Sequence, residues 1–177
     1  MYSKIVVNSI LIVFLAIFQI AFVGSLPGIF SCLNLVLVVF LYILGFYGLE
    51  YVFWWVVGAG LLLDFYSFTP LGSNLVSFLV VIVLTSFLLE NFFTNRSLYS
   101  FLVLGFFASA CFEFCLYSFA GCVSFLFKKD FDLVLDGSFF KHELNVVLIN
   151  TIFVFALFYI YNAFGSKLKL TLLLKKS

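Results

Sequence analysis

Charge is scarce in this sequence: nine Lys and Arg and eight Asp and Glu make 10% of 177 residues, where a soluble domain carries about 25%. A soluble core of this size needs a polar shell, and a chain that is 66% hydrophobic, with a mean hydropathy of +1.29, has none to offer. The net charge of +1 leaves no basic face to neutralise a phosphate backbone, which excludes nucleic-acid binding on electrostatic grounds. Histidine is scarcer still. His142 is alone, so no Ser, Cys or Thr within an apolar run has a base beside it; H-E-x-x-H is absent, and no Gly-rich phosphate loop precedes a helix. The chain is expected not to be an enzyme. Cys32, Cys111, Cys115 and Cys122 sit in apolar runs rather than polar loops, so no disulfide framework is read from them. Cys111 and Cys115 share a helical face, but a metal wants more ligands than that pair supplies, and buried Cys packs as a small hydrophobe. No metal and no cofactor are expected. Nor does a small-residue cleavage pattern follow the uncharged run from Ile5 to Phe30, which is longer than a signal-peptide core of about 7–15 residues; it is read as a retained first helix.

What is present is apolar length. Runs of about 18 residues or more recur along nearly the whole chain, which makes lipid the solvent. Six spans are predicted, over residues 5–24, 29–47, 50–66, 70–92, 98–125 and 145–164, in an all-α polytopic membrane fold. No internal repeat or low-complexity linker divides them, giving one transmembrane domain over 1–166 and a basic tail over 167–177. "SLPG" (Ser25 to Gly28) separates the first two spans as a tight helical hairpin, with Pro at the second turn position and Gly at the third, where positive φ is wanted. "YGLEY", "YSFTP" and "ENFFTNRS" are the next three breaks. Tyr51 and Trp54, near one end of the third span, fit an interfacial belt.

An even number of spans puts both termini on one side. With that side cytoplasmic, Lys4, Arg96, Lys167, Lys169, Lys175 and Lys176 lie inside and Lys128, Lys129 and Lys141 outside, the asymmetry that positive charge in short loops favours. The tail "KLKLTLLLKKS" suits an anionic inner leaflet or simple solvation. The outer segment Lys128 to Leu144 is the only long polar one; Asp136-Gly137 reads as a hairpin turn or the segment as an interfacial helix, and Phe139 and Phe140 as a docking patch or a membrane anchor.

Two acids interrupt the apolar runs. Asp64 falls at the end of the third span, where the negative end of the helix dipole is unfavourable to another negative charge. It needs donors, and Ser67, Thr69, Ser73, Asn74 and the unpaired N–H groups of a fourth helix starting at Pro70 are at hand. Asp64 is therefore read as a remote cap, with a proton or cation site as the alternative that any acid at membrane depth raises. Gly58, Gly60 and Gly72 allow close backbone approach around it. Glu113, mid-way along the fifth span, is expected to face protein and to be protonated or hydrogen-bonded there. Helix neighbours, another membrane subunit and proton movement all remain open as its role. Gly105 and Ser109, with Ala108 and Ala110 beside them, form a small-residue face for another helix.

The stretch "GAGLLLDFYSFTPLGSN" (Gly58 to Asn74) resembles the G-x-x-x-D, short polar turn, L-G signature of the MreD family of bacterial rod shape-determining membrane proteins. Gly60, Asp64, Leu71 and Gly72 match it, with Thr69, Pro70 and Asn74 in the same motif. Chain length, the basic position Arg96, the acid Glu113 and the basic tail are also similar to that family, whereas Leu33 before Asn34 stands where members often have Pro. The resemblance implies a non-enzymatic subunit of the cell-elongation machinery in the bacterial inner membrane. Such a subunit binds the bitopic protein MreC and helps position the peptidoglycan polymerase and transpeptidase with MreB. It also implies a fold similar to the six-helix substrate-binding subunits of energy-coupling-factor vitamin transporters. That similarity carries the rival expectation of a small-molecule pocket walled by Asp64, Asn74 and the outer loop.

Overall fold

The computed structural model describes the backbone of residues 2–67, 70–93, 97–127 and 137–174, and their side chains apart from those of 2–5, 120, 124–127, 137–138 and 163–174. Among the described residues all regular structure is helical. Helix α1 spans Tyr2–Ala21, α2 Leu35–Tyr47, α3 Leu49–Tyr66, α4 Ser73–Asn91, α5 Leu98–Phe127 and α6 Gly137–Leu174, with 3-10 turns at Val23–Ser25 and Gly28–Cys32 between α1 and α2.

Five of these helices are long and apolar enough to cross a membrane; α2 is not among them. Its 13 residues rise about 20 Å at 1.5 Å each, short of a hydrocarbon core of about 30 Å. The predicted span over 29–47 is corrected accordingly: the second helix starts late, at Leu35, after 3-10 turns at Val23–Ser25 and Gly28–Cys32, while the turn predicted at "SLPG" has Pro and Gly in the expected conformations. Pro27 is extended at φ −76° and ψ 147°, Gly28 takes φ +68°, and the side chain of Asn34 accepts the Leu37 N–H as the N-cap of α2. Asn is among the strongest N-cap residues, so the helix begins where a side chain can hold its first turn rather than where apolarity begins.

Although short, α2 is the centre of the bundle. Val36, Leu37, Val38 and Phe40 have no solvent exposure, and α2 packs against α1, α3, α4, α5 and α6. Phe40 meets Phe78 of α4 edge-on at 5.2 Å between centroids, and Phe78 stacks on Phe112 of α5 at 4.5 Å, so three helices share one aromatic core. The Tyr42 hydroxyl, on the same helix, donates to the Val154 carbonyl of α6 at 2.6 Å. Gly48 joins α2 to α3 at φ +87° and ψ 178°, a region open essentially to glycine alone. This is the expected break at "YGLEY".

The other boundaries shift by smaller amounts. The fourth helix starts at Ser73 rather than Pro70, and α6 starts at Gly137 rather than 145. Of the two forms open to the polar segment 128–144, its described part, from Gly137 on, is helix, with Phe139 packed on Tyr117 at 5.0 Å and Phe140 65% exposed. Thr69, Arg96, Lys128 and Lys129, and the side chains of Lys4 and the tail lysines, lie outside the described residues.

Candidate functional site

Where α3 hands over to α4, the chain turns through Pro70 to Ser73. The Ser73 N–H donates to the Pro70 carbonyl at 3.1 Å, and Gly72 sits at φ +92° and ψ −10°, the third position of a type II turn, where glycine is required. Gly72 is also the N-cap of α4 and has no side chain to accept the orphan N–H groups of the first turn. Asp64 supplies what the glycine lacks. Its Oδ1 accepts the Asn74 backbone N–H at 2.8 Å and the Asn74 Nδ2 at 3.1 Å, and its Oδ2 accepts the Leu75 N–H at 3.2 Å. These backbone donors are the second and third residues of α4, the pair an N-cap side chain serves. The positive end of α4 thus faces the carboxylate and offsets the unfavourable end of α3. Asn74 Nδ2 also reaches Ser67 Oγ at 3.2 Å, while Ser73 Oγ turns back to the Pro70 carbonyl at 2.6 Å instead of to Asp64.

The corner closes because α3 and α4 touch. A Cβ on Gly60 would stand 3.0 Å from Leu75 Cα, so any larger residue forces the helices apart. Gly58, expected in the same contact, faces the other way: its Cβ would meet Ile12 of α1 at 3.0 Å. Leu71 is 71% exposed at the tip of the turn. A Cβ on Gly72 would have 4.0 Å of room, with Phe119 nearest, so its φ alone sets the cost of replacing it. Gly72→Ala is expected to lower stability by about 1–2 kcal/mol, and Gly72→Asn by less than half of that, because Asn tolerates the left-handed region; reversible unfolding of the purified chain in detergent measures both.

Asp64 is 3% exposed and both its oxygens are engaged. A groove of roughly 610 Å³ between α1 and α3 is lined by Asn8, Tyr51, Trp55, Gly58 and other residues of those two helices, with neither Asp64 nor Asn74 among them. The corner has the chemistry of a cap: a charge held by fixed donors.

Glu113, on α5, is 9% exposed. One turn further on, Tyr117 packs on Phe139 of α6; among the described residues no hydrogen bond to the Glu113 carboxylate is found. The small-residue face close by brings α5 and α6 together, with Val154 3.0 Å from a Cβ on Gly105, while Ser109 Oγ donates back to the Gly105 carbonyl at 2.8 Å. Ala108 is buried and Ala110 exposed, so only part of the predicted face meets a helix.

A second polar cluster has no counterpart in the sequence-based expectations. At the broken start of α2, the Leu35 N–H donates to Gln19 Oε1 at 2.9 Å, Gln19 Nε2 donates to the Leu33 carbonyl at 3.0 Å, and the Asn34 N–H donates to Asn150 Oδ1 at 2.7 Å. Non-helical backbone among apolar helices survives only where protein groups satisfy it, and two amides from α1 and α6 do so here. The signal in the sequence is slight: Gln19 is one of two amides in the first apolar run, with Asn8, and Asn150 one of three in the last, with Asn145 and Asn162. Cys32 and His142, 3.7 Å apart, also meet only in the fold.

Taken together, the described residues are all-helical, with five helices long and apolar enough to cross a membrane, a capped corner and a polar cluster at the start of α2. Comparison with protein-family models, with curated proteins and with solved structures finds no match to it.

Proposed function

We propose that this chain is a non-enzymatic integral-membrane scaffold of the MreD type, a subunit of a bacterial cell-shape and elongation complex that binds an MreC-like partner and helps organise peptidoglycan synthesis. In this reading it lies in the inner membrane with both termini in the cytoplasm, and MreB and the polymerase and transpeptidase are reached through the complex. The observation that carries the proposal is the state of Asp64. The acid of the family-like signature has both oxygens bound by the N-terminus of α4, which suits a rigid block that other membrane proteins recognise and leaves neither oxygen free to meet a substrate. The proposal rests on the sequence resemblance for its partner and on this geometry for its inertness.

The broken second helix favours a second reading. Discontinuous helices with buried polar groups are used by membrane transporters to hold small ligands, and Asn150 is fully buried with its Nδ2 unpartnered. A small-molecule-binding subunit of a vitamin-type transporter would use that cluster. Isolation of the tagged chain in mild detergent separates the two: co-purification of a single-span coiled-coil protein encoded beside it is expected, whereas recovery of a vitamin with an ATP-hydrolysing coupling module would replace the scaffold with the transporter.

A further inference from the structure

The groove between α1 and α3 is polar at one end. Asn8 and Tyr51, each the third residue of a helical run long and apolar enough to cross a membrane, close that end with a hydrogen bond: Asn8 Nδ2 donates to the Tyr51 hydroxyl at 2.8 Å. Deeper in, Ile12 Cγ2 would stand 3.0 Å from a Cβ on Gly58, so the two helices run parallel and their polar positions share one level. From Tyr51 to Leu62 the α3 wall of the groove rises about 16 Å, and half of a hydrocarbon core is about 15 Å. The groove has the depth of one leaflet. Its volume of roughly 610 Å³ is that of a small-molecule site, about 300–1,000 Å³. Two donors on its α3 wall lack acceptors. Tyr51, 42% exposed, has its oxygen engaged by Asn8, and among the described residues nothing accepts its hydroxyl proton. One turn deeper, Trp55 has its Nε1 buried without a partner among the described residues, although a buried indole N–H ordinarily finds one.

We propose that this groove holds one acyl chain of a membrane glycerolipid, with its ester carbonyl at the Tyr51 hydroxyl and its tail running past Trp55 to Leu62. The proposal needs α1 and α3 to cross the bilayer and is otherwise independent of the scaffold reading. Apolar fit alone gives no preference over bulk lipid, because lipid tails are as apolar as the groove walls. The unmet donors supply the preference, and they choose among occupants. A partner's helix has its carbonyls bonded within itself and, at about 10–12 Å across, does not enter a cleft between two helices in contact. An ester carbonyl is a free acceptor on a thin chain. It also lies at the level where Tyr and Trp side chains gather in membrane proteins. Asn8 holds the Tyr51 oxygen and leaves the hydroxyl proton for that carbonyl.

The test presents the full chain, in nonionic detergent, with two phosphatidylcholines of equal chain length: a diester, and its diether twin, which lacks both carbonyls. Native mass spectrometry counts the lipids retained per chain. One diester molecule is expected to bind about tenfold more tightly than the diether, with the difference reduced by Tyr51→Phe or by Trp55→Phe and lost when both are made. Because the lipid is what changes, the first comparison does not depend on any variant folding. A second measurement also uses the unsubstituted chain: of its two tryptophans, one indole N–H resonance is expected to move on addition of the diester and to stay in place with the diether. Equal retention of the twins overturns the proposal, as does a preference that survives in the doubly substituted chain, or indole resonances that do not distinguish the twins. So does loss of the bound diester on adding an equal concentration of a leucine-rich transmembrane peptide, which makes a helix the occupant. Failure here leaves the scaffold standing, since capture of its partner is measured separately.

Discussion

Asp64→Ala is expected to destabilise the chain by about 2–4 kcal/mol. That size comes from the groups the substitution leaves behind: the N–H groups of Asn74 and Leu75 lose their acceptor at a position 3% exposed, and each orphaned buried donor costs about 1–3 kcal/mol. Gly72, the N-cap, has no side chain to take over. Asp64→Asn keeps one carbonyl oxygen and turns an N–H2 toward the other donor, so an intermediate loss is expected, with the larger share arising at Leu75 or Asn74 according to which way the amide faces. Unfolding in detergent, combined with hydrogen exchange over Ser73–Ser77, locates the loss in the first turn of α4. The same pair of variants separates the cap from a proton site. A cap predicts falling stability, weaker capture of the partner and vesicle proton flux indistinguishable from that of the unsubstituted chain. Intact stability with a flux that disappears would make Asp64 a proton carrier instead.

How much of this is legible in the sequence depends on how far along the chain the partners lie. Asp64 and Asn74 are ten positions apart across one turn, so an acid at the end of one apolar run beside an amide at the start of the next can be read directly as a cap and its donor. Apolar length likewise marks α1, α3, α4, α5 and α6, because a run that must bury its backbone in lipid has few alternatives to helix. The same rule misleads at α2. Ile29 and Phe30 are as apolar as the helix beyond them, and nothing in hydropathy distinguishes a helix from a 3-10 turn whose backbone is satisfied by side chains elsewhere. Those side chains are Gln19 and Asn150, the second 116 positions away from the residue it serves. Glu143 is hidden for a related reason: in sequence it belongs to a polar loop, and only the helical start of α6 carries it to the groove beside α5. Gly58 and Gly60 look equivalent in composition, yet two residues along a helix is a turn of about 200°, which sends one to α1 and the other to α4.

Asn150→Leu provides the sharpest measure of the broken helix. Leucine matches asparagine in size and suits an apolar surrounding, so packing alone predicts no loss and even a gain. The hydrogen bond predicts the reverse: with Asn150 Oδ1 gone, the Asn34 N–H loses its acceptor beside a side chain that is fully buried, at a cost of about 1–3 kcal/mol. Because that N–H can meet only an acceptor, the orientation of the Asn150 amide is fixed, and its Nδ2 stays without a partner. The residue therefore combines one good bond with one unsatisfied donor, and the two terms oppose each other. Gln19→Leu removes both an acceptor for Leu35 N–H and a donor to the Leu33 carbonyl, leaves no such compensation, and is expected to cost the larger amount, about 2–4 kcal/mol. The two changes together should fall short of their sum, since both free the same turn and its first release is shared. Reversible unfolding of the four chains of this cycle decides the matter. If Asn150→Leu instead stabilises while Gln19→Leu destabilises, the unpartnered donor outweighs the bond, and a buried amide retained at a cost to stability is the pattern of a ligand-binding group, which would shift the balance toward the small-molecule reading.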